Sequence, residues 1–332
     1  MKVLENHAIQ NSLKIKSISR YYIEINDISN FQKLHDFVSN KKLPVIVLGE
    51  GTNIIPPNIF NGIVIKPIFN QIILKDDVVE VGSSVNWDLF VNNMIGKGIH
   101  GFENLSLIPG SVGAAPIQNI GAYGQEVSNL IKEVHCYDYA DNVLKTLTNK
   151  DCNFSYRDSS LKNNNLLIYK VVFKTTNSNL LNLNYHSIQR YIVDNKIDKA
   201  QLNQKLLSNI ICKIRNKNLP DPNIIPNAGS FFKNTILKVN EIKIDKFSLE
   251  DLVIWKVDET FSKIGAARLI DLIKDDLAMS DKVFIYKKHS LVLTTNSEAT
   301  QLNILDFASD IQDLVLKTFN ISLEIEPTVI IE

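Results

Sequence analysis

Apolar and polar positions in the first part of the chain alternate between strand and helix periods. Residues 21–25, Tyr-Tyr-Ile-Glu-Ile, have the pattern of a strand. Apolar residues at helical spacing then predict a helix between Ser29 and the pair Lys41 and Lys42. Residues 44–48, Pro-Val-Ile-Val-Leu, predict a short buried strand that runs directly into Gly49. The predicted order is therefore strand, helix, strand and glycine loop.

The same periods recur along the rest of the chain. Residues 78–81 and 167–172 have the apolar runs of strands, and residues 266–271 fall in a predicted helix. Two amphipathic helices are predicted from apolar residues at helical spacing. Their apolar residues are Trp87, Phe90, Val91, Met94 and Ile95 in one, and Leu302, Leu305, Ile311, Leu314 and Val315 in the other.

Length and charge limit the possible functions. A chain of 332 residues is expected to divide into two or three domains. Its 36 basic and 36 acidic side chains balance, so no net field attracts a nucleic acid or an anionic membrane. The N-terminus lacks the apolar core of a signal peptide, and no apolar run is long enough to span a bilayer, which predicts a cytoplasmic protein. The 3 cysteines and 6 histidines are scattered, so no metal site is predicted.

The first candidate ligand site is the loop that follows the strand at residues 44–48. It reads Gly49, Glu50, Gly51, Thr52 and Asn53. Glycines let backbone N–H groups approach a phosphate without a Cβ in the way. The loop lacks the third glycine of a dinucleotide fingerprint and the lysine of a P-loop. Phosphate binding and a simple tight turn both remain open.

A second segment is unusually rich in small residues. Residues 108–124 contain four glycines and three alanines, with Ser111, Gln118 and Asn119 among them. Small side chains at this density suit a main chain laid against a large flat ligand, although two closely packed loops would look alike. Together with the first loop, this segment indicates one long ligand with a diphosphate in its middle.

A third segment places one hydroxyl between a glycine and bulky apolar residues. Residues 227–234 read Asn-Ala-Gly-Ser-Phe-Phe-Lys-Asn, with the hydroxyl at Ser230. Gly229 allows close approach of a ligand, and the two phenylalanines can exclude water. An ordinary turn has a similar composition. The segment indicates chemistry only if cooperating groups occur elsewhere.

These motifs occur together in one known family. Residues 48–53, 104–124, 156–159, 219–222 and 227–234 resemble, in order, the UDP-N-acetylenolpyruvoylglucosamine reductases. The resemblance extends from about residue 11 to the C-terminus. It implies an α+β protein with a two-subdomain FAD-binding fold of the vanillyl-alcohol-oxidase type and a C-terminal α+β substrate-binding domain. The implied limits are 1–70 for the first subdomain, completed by 321–332, then 71–218 for the second and 219–320 for the substrate domain.

The resemblance also implies a reaction of peptidoglycan precursor synthesis. NADPH reduces a non-covalently bound FAD and leaves, and UDP-N-acetylglucosamine enolpyruvate is then reduced to UDP-N-acetylmuramate. The expected protein is a cytoplasmic monomer with a small-molecule substrate and no nucleic-acid or membrane partner. The residues implied to bind FAD are Gly49, Glu50, Gly51, Thr52, Asn53, Pro109, Gly110, Ser111, Gly113, Ala114, Gln118, Asn119, Gly121, Ala122, Tyr123 and Gly124.

Three residues match the catalytic positions of the family. Arg157 is expected to stabilise charge on the substrate carboxylate with its planar fork, although a structural ion pair with Asp158 or another acidic residue is the alternative. Ser230 is the implied proton donor to C2, and Glu326 is expected to act beside Arg157 or in proton transfer. Pro327 stands where the family usually has valine.

Five further residues are implied to bind substrate: Tyr185, Arg215, Lys217, Asn234 and His289. Tyr185 matches a tyrosine that closes over the diphosphate from a mobile loop, although a surface loop would look the same. Asn218 stands where the family often has lysine, and Lys217 lies one place earlier. Two other hypotheses stay open: a flavoprotein of the same fold acting on another substrate, and a flavin-binding protein without turnover.

Overall fold

The computed structural model describes residues 1–162, 164–175 and 180–331. The strands are β1 (Lys2–Ala8), β2 (Ile18–Ile25), β3 (Val45–Val47), β4 (Ile54–Ile55), β5 (Ile59–Pro67), β6 (Ile72–Leu74), β7 (Val78–Gly82), β8 (Gly121–Ala122), β9 (Gln125–Glu126), β10 (Ile131–Asp138), β11 (Val143–Thr148), β12 (Leu166–Lys174), β13 (Asn227–Ser230), β14 (Thr235–Leu237), β15 (Ile254–Lys256), β16 (Ser262–Ile264), β17 (Val283–Ile285), β18 (Val292–Thr295) and β19 (Thr328–Val329).

The α-helices are α1 (Phe31–Lys41), α2 (Trp87–Gly96), α3 (His186–Asp194), α4 (Gln204–Asn218), α5 (Ala266–Ile273) and α6 (Gln301–Phe319). Single-turn 3₁₀ helices occupy Ile28–Asn30, Glu103–Leu105, Val127–Asn129, Lys199–Gln201, Val239–Glu241, Leu249–Asp251 and Lys274–Asp276. The mixture of helices and mainly antiparallel strands makes this an α+β protein, as the sequence predicts.

Contacts divide the chain into two compact units. The first unit comprises residues 1–7, 19–50 and 61–217, and the second comprises 8–18, 51–60 and 218–332. The three-part division predicted from the sequence stays a prediction, because a division by contacts into two units does not test it.

The first unit is built on two sheets. One has the strand order β1-β2-β5-β3, and the other has the order β11-β10-β12-β7-β6. β3 and β5 are parallel, whereas the pairs of the second sheet are antiparallel. Apolar residues of the second sheet pack with α2 in a core that contains Trp87, Phe90 and Phe102.

Helix α2 begins where the sequence favours a helix start. The side chain of Asn86 caps it by accepting a hydrogen bond from the N–H of Leu89 at 3.0 Å. Trp87, at the first helical position, is buried and donates its indole N–H to the carbonyl of Leu105 at 2.9 Å. The cap and the apolar face together fix the helix against the sheet.

The second unit contains the three-stranded sheets β13-β18-β17 and β14-β16-β15, and the parallel pair β4 and β19. Its core joins α5 and α6 to apolar residues that lie far apart in sequence, including Leu13, Ile55 and Phe231. Helix α6 begins with a capping box formed by Thr300 and Asn303, and ends at Asn320 in a left-handed conformation.

Two details differ from the sequence-based expectations. β3 forms at the edge of its sheet, next to β5, and Val47 is 37% exposed. The prediction of a strand here is confirmed, but the prediction that it is buried was wrong. In α6, Ile311 and Val315 are buried as predicted, but Leu302 is 65% exposed. Ile304 and Phe307, which the sequence analysis did not name, complete the core-facing side. Short apolar windows do not reveal which of two adjacent faces meets the core.

Within the described residues, no helix is both long and apolar enough to cross a bilayer.

Two substitutions in the first turns of α6 test which side of the helix faces the core. Ile304→Ala should lower the free energy of unfolding by about 2 to 5 kcal/mol, because Ile304 is fully buried. Leu302→Ala should change it by no more than about 0.5 kcal/mol, because the side chain is mostly exposed. Urea unfolding of both variants measures the difference; equal losses would contradict the observed phase.

Candidate active site

The two glycine-rich segments meet within the first unit. A Cβ added to Gly49 would lie 2.9 Å from the Oγ of Ser111 and 3.3 Å from the Cβ of Ala114. Glycine at position 49 therefore allows the first loop to approach the second segment. Next to it, Glu50 is exposed and accepts a hydrogen bond from the side chain of Asn86 at 3.1 Å. The helix cap of α2 thus also contacts the first glycine loop.

A lysine outside both segments supports the first loop. The ammonium of Lys66 donates a hydrogen bond to the carbonyl of Gly49. Burial lowers the pKa of Lys66, and the negative charge of Glu50 opposes that shift. Nothing in the local sequence around Lys66 indicates this contact, because it is made across 17 positions.

The second half of the first loop belongs to the second unit. Gly51 has φ 68°, and a Cβ there would lie 2.1 Å from the carbonyl oxygen of Gln10. Two main-chain hydrogen bonds also fix this part of the loop. The N–H of Ser12 donates to the carbonyl of Gly51 at 2.9 Å, and the N–H of Thr328 donates to the carbonyl of Asn53 at 3.0 Å. The side chain of Ser12 also donates to the carbonyl of Thr52 at 3.2 Å. This half of the loop is a rigid main-chain structure.

The second segment is partly a packed loop and partly an exposed one. Gly113 donates its N–H to Ser83 at 2.9 Å, and a Cβ on Gly113 would lie 2.5 Å from that of Ser83. Its small size therefore serves packing. Gly110 is buried and accepts from the N–H of Trp87, whereas Pro109 and Ala114 are exposed. The alternative of closely packed loops applies to Gly113, and an open surface remains around Pro109 and Ala114.

The segment ends in a tight hairpin. β8 and β9 pair with only Tyr123 and Gly124 between them, and these two residues have φ 50° and 81°. Two-residue hairpins with positive φ at both turn positions match the twist of the paired strands. A tyrosine rarely adopts a positive φ, because the conformation strains the backbone. Strained residues of this kind occur mainly at functional sites.

Asn119 connects this hairpin to a second turn. Its side chain is fully buried and donates to Glu126 at 2.8 Å and to the carbonyl of Ser155 at 3.0 Å. It also accepts from the N–H of Ser128 at 3.1 Å. These bonds engage the amide within the protein, so a cofactor contact by Asn119 would come from its main chain. Gln118, its neighbour, is half-buried.

The second turn carries Arg157. Ser155 and Asp158 exchange backbone hydrogen bonds, which leaves Tyr156 and Arg157 as the turn, with Arg157 at φ 56°. The guanidinium donates from Nη2 to the carbonyl of Gly121 at 2.8 Å. Asp158, the alternative partner considered from the sequence, lies 3.5 Å from the ammonium of Lys162. The fork of Arg157 is therefore oriented by the glycine-rich hairpin.

A second arginine lies close to the same hairpin. Burial lowers the pKa of Arg215, and the positive charge of Arg157 lowers it further, while Tyr123 opposes the shift. Burial raises the pKa of Tyr123, and the charge of Arg215 acts against that rise. The ring of Tyr185 meets that of Tyr123 edge to face, with centroids 5.3 Å apart. The structure thus brings Tyr123, Arg157, Tyr185 and Arg215 together.

Lys217 lies elsewhere on helix α4. It follows Arg215 by two positions, which corresponds to a rotation of about 200° around a helix. Its side chain is exposed. The structure therefore does not bring Lys217 alongside Arg215.

In the second unit, Ser230 lies at the end of β13, next to an irregularity in the sheet. The register of β13 and β18 shifts between Asn227 and Ser230, and Gly229 has φ 75° there. The side chain of Asn227 accepts from the N–H of Gly229 at 2.9 Å. A bulge of this kind re-aims the residue that follows it. Ser230 itself is half-buried.

The chain after Ser230 pairs with the C-terminal segment. Glu326 donates its N–H to the carbonyl of Phe231 at 2.9 Å, and Phe232 forms a bridge with Ile325. Phe231 and Phe232 are both buried and anchor this pair in the core. Ser230 and Glu326, separated by almost a hundred positions, are thereby held on adjoining segments.

Three polar residues of the second unit have contacts that the sequence does not indicate. Lys233 forms an ion pair with Glu324, the other carboxylate of the C-terminal segment. The side-chain oxygen of Asn234 accepts from the N–H of Ala266, the first residue of α5, at 3.0 Å. His289 lies in the β17–β18 connection, where its Nδ1 accepts from the N–H of Leu291 at 3.3 Å. A neutral His289 therefore carries its proton on Nε2, which can donate to a ligand.

Two known domain families match separate parts of the chain. Residues 19–147 match the family described as FAD binding domain. Residues 221–330 match the family described as UDP-N-acetylenolpyruvoylglucosamine reductase, C-terminal domain. The chain therefore has an FAD-binding domain, as predicted.

Curated relatives match over nearly the whole chain. The UDP-N-acetylenolpyruvoylglucosamine reductase of Bdellovibrio bacteriovorus is 33% identical, with 98% of this chain and 99% of that protein covered. The reductase of the same name from Polynucleobacter asymbioticus is also 33% identical, over 99% of this chain and 97% of the relative.

A solved structure extends the likeness to the fold. The crystal structure of UDP-N-acetylenolpyruvylglucosamine reductase from Thermus caldophilus superposes with a TM-score of 0.67 over 99% of both chains, at 18% identity. The predicted fold class, an FAD-binding fold with a C-terminal α+β domain, is confirmed.

Close packing around Gly51 can be tested by comparing Gly51→Ala with Gly98→Ala, because both glycines have a similar positive φ. Gly98 has φ 71° with no atom within 4 Å of an added Cβ, so Gly98→Ala should cost about 1 to 2 kcal/mol of unfolding free energy from backbone strain alone. Gly51→Ala adds a collision with Gln10 and should cost about 3 kcal/mol or more. Denaturant unfolding measures both; equal costs would mean that the loop yields to the added methyl group.

The environment of His289 predicts a stability change in mild acid. Burial lowers the pKa of His289 below its usual 6.5, so the unfolded chain binds a proton at a higher pH than the folded protein. The free energy of unfolding should therefore fall as the pH drops below about 6.5 towards the lowered pKa. His289→Gln should weaken that fall, with His186→Gln at an exposed position as control. Denaturant unfolding at pH values between about 7.5 and 5, roughly the range in which histidine titrates, measures this dependence. If the unfolding free energy of His289→Gln fell with pH as steeply as that of the wild type, the prediction would be wrong.

Proposed function

Because this chain belongs to the UDP-N-acetylenolpyruvoylglucosamine reductase family, we propose that it reduces UDP-N-acetylglucosamine enolpyruvate to UDP-N-acetylmuramate with NADPH as the hydride source. The protein is an FAD-dependent oxidoreductase. The observation that carries the proposal is the association of Arg157 and Arg215 at the glycine-rich hairpin of an FAD-binding domain. Both the enolpyruvyl carboxylate and the diphosphate of this substrate are anions that such a cluster attracts.

FAD is proposed to lie against the two glycine-rich segments. The contact of Gly49 with Ser111 and Ala114 supports this, because it places the two segments side by side. The exposed positions Pro109 and Ala114 and the hairpin from Gly121 to Gly124 offer main-chain groups to a flat ligand. When bound, the flavin would supply the hydride that adds to C3 of the enolpyruvyl ether.

Arg157 is proposed to stabilise the charge that develops on the substrate carboxylate. Its bond to the carbonyl of Gly121 orients the fork before substrate arrives, so little reorganisation is needed during reaction. The nearby charge of Arg215 raises the local positive potential further. An anionic ligand would offset the repulsion between the two guanidinium groups.

Ser230 and Glu326 are proposed to serve the proton transfer. Ser230 would donate a proton to C2, and the developing negative charge there would drive transfer from a weakly acidic hydroxyl. The pairing of Phe231 with Glu326 supports a joint role, because it holds the carboxylate beside the segment of the serine.

The remaining assignments are proposals of the same kind. Tyr185, Arg215, Asn234 and His289 are proposed to contact the nucleotide, together with the exposed Lys217. The protein is proposed to act as a cytoplasmic monomer on a small-molecule substrate, and its balanced charge gives no support for a nucleic-acid or membrane partner.

Anaerobic stopped-flow absorbance tests the function and the role of Ser230 together. NADPH should bleach the bound flavin, and the enolpyruvyl nucleotide should restore its colour without oxygen. Ser230→Ala should leave the bleaching intact and slow the recolouring by about 10² to 10⁴-fold, because a positioned proton donor is lost.

The control for this experiment is Ser322→Ala, an exposed serine of the same unit, which should recolour at the wild-type rate. A wild-type flavin that NADPH never bleaches, or that only another substrate recolours, would overturn the proposed function. A loss of less than about tenfold in Ser230→Ala would remove the serine from the proposed proton transfer.

A further inference from the structure

The turn that carries Tyr123 is held by side chains from two distant segments. The side-chain amide of Asn104 donates to the carbonyl of Tyr123 at 2.9 Å. The side-chain amide of Asn182 donates to the next carbonyl, that of Gly124, at 2.9 Å. Both carbonyls of the left-handed turn are therefore fixed from outside the hairpin, which offsets the backbone strain at Tyr123.

The two asparagines are also bonded to each other. The amide of Asn104 donates a second hydrogen bond to the main-chain carbonyl of Asn182 at 3.0 Å. Asn104 is only 2% exposed, so these bonds are shielded from water. The buried asparagine thereby joins the hairpin turn to the segment around residue 182.

That segment leads directly to Tyr185. The side-chain oxygen of Asn182 accepts from the N–H of Asn184 at 3.2 Å, which fixes the chain just before the tyrosine. The ring of Tyr185 then meets the ring of Tyr123 edge to face. Tyr185 is 43% exposed, and on its other side its carbonyl accepts from the N–H of Ile188 at the start of α3.

We propose that Asn182, supported by Asn104, is a positioning residue that sets Tyr185 against Tyr123 for the nucleotide substrate. This inference rests on the proposed function. Asn182 ties the main chain on both sides of the aromatic pair, at Gly124 and at Asn184. The tyrosine expected from the sequence to lie in a mobile loop is therefore partly ordered before substrate binds, which lowers the entropic cost of binding.

The expected kinetic effect is on substrate binding. Asn182→Ala should raise KM for the enolpyruvyl nucleotide about tenfold, the effect of losing one or two hydrogen bonds, and should change kcat by less than about twofold. Asn182→Asp preserves the size of the side chain and the acceptor for Asn184, but loses the N–H that meets Gly124. Because a carboxylate oxygen would then face the carbonyl of Gly124 in place of a donor, Asn182→Asp should also raise KM, by about threefold or more. Asn184→Ala is the matched control, because Asn184 contributes its backbone N–H and not its side chain to this bond.

A double-substitution cycle separates positioning from a general structural role. In a Tyr185→Ala background, Asn182→Ala should raise KM by less than about twofold more, because its effect is transmitted through the tyrosine. Additive losses in the cycle, a wild-type KM in Asn182→Asp, or a fall in kcat without a rise in KM would overturn the proposal.

Hydrogen exchange tests the same tether without turnover. Asn182→Ala should speed amide exchange in residues 121–126 and 180–186, whereas Asn184→Ala should leave residues 121–126 unchanged. Unchanged exchange in both segments of Asn182→Ala would also overturn the proposal. If the wild-type protein fails to reduce the enolpyruvyl nucleotide while exchange changes as expected, the proposed function fails and the tether stands.

Discussion

The candidate site of the first unit depends on the buried side chain of Asn119. Its amide bonds to Glu126 and to the carbonyl of Ser155, and therefore joins the hairpin that carries Tyr123 to the turn that carries Arg157. Both turns have a bulky residue at positive φ, a conformation that the chain does not adopt without outside support. Because the amide is fully buried, each of its bonds would be costly to lose. Together with the hydrogen bond from Arg157 to the carbonyl of Gly121, this side chain links the two turns.

The electrostatics of the site follow from that arrangement. Once the turns are fixed, Arg157 bonds to Gly121 and lies near enough to Arg215 for their charges to repel. Burial of Arg215 removes solvent that would weaken this repulsion. Such a pair is unfavourable by itself and becomes favourable when an anion binds, which suits a substrate with a carboxylate and a diphosphate.

The second unit brings together residues from distant parts of the chain. The two buried phenylalanines after Ser230 anchor the strand, and its backbone pairs with the segment of Glu326. Phe231 and Phe232 are adjacent and point to opposite faces of the strand, so both faces must be covered. Both side chains belong to the core that contains α5 and α6. The apolar residues expected to exclude water therefore also hold the serine and the glutamate in register.

The sequence by itself determined the α+β class, the helices α1 and α2, the glycine-rich segments and the family. The helical spacing of apolar residues and the density of glycine and alanine are local patterns, which is why they can be read without the structure. The α+β class followed from the resemblance of several motifs to one family. Only the tertiary structure decided the contacts of Lys66, Asn104, Asn119 and Asn182. Amide and ammonium side chains have no periodic pattern, and the groups to which these four donate lie 7 to 78 positions away in the chain. It also decided that β3 is an edge strand and that Leu302 is exposed, since burial depends on which elements pack together and not on the residue alone.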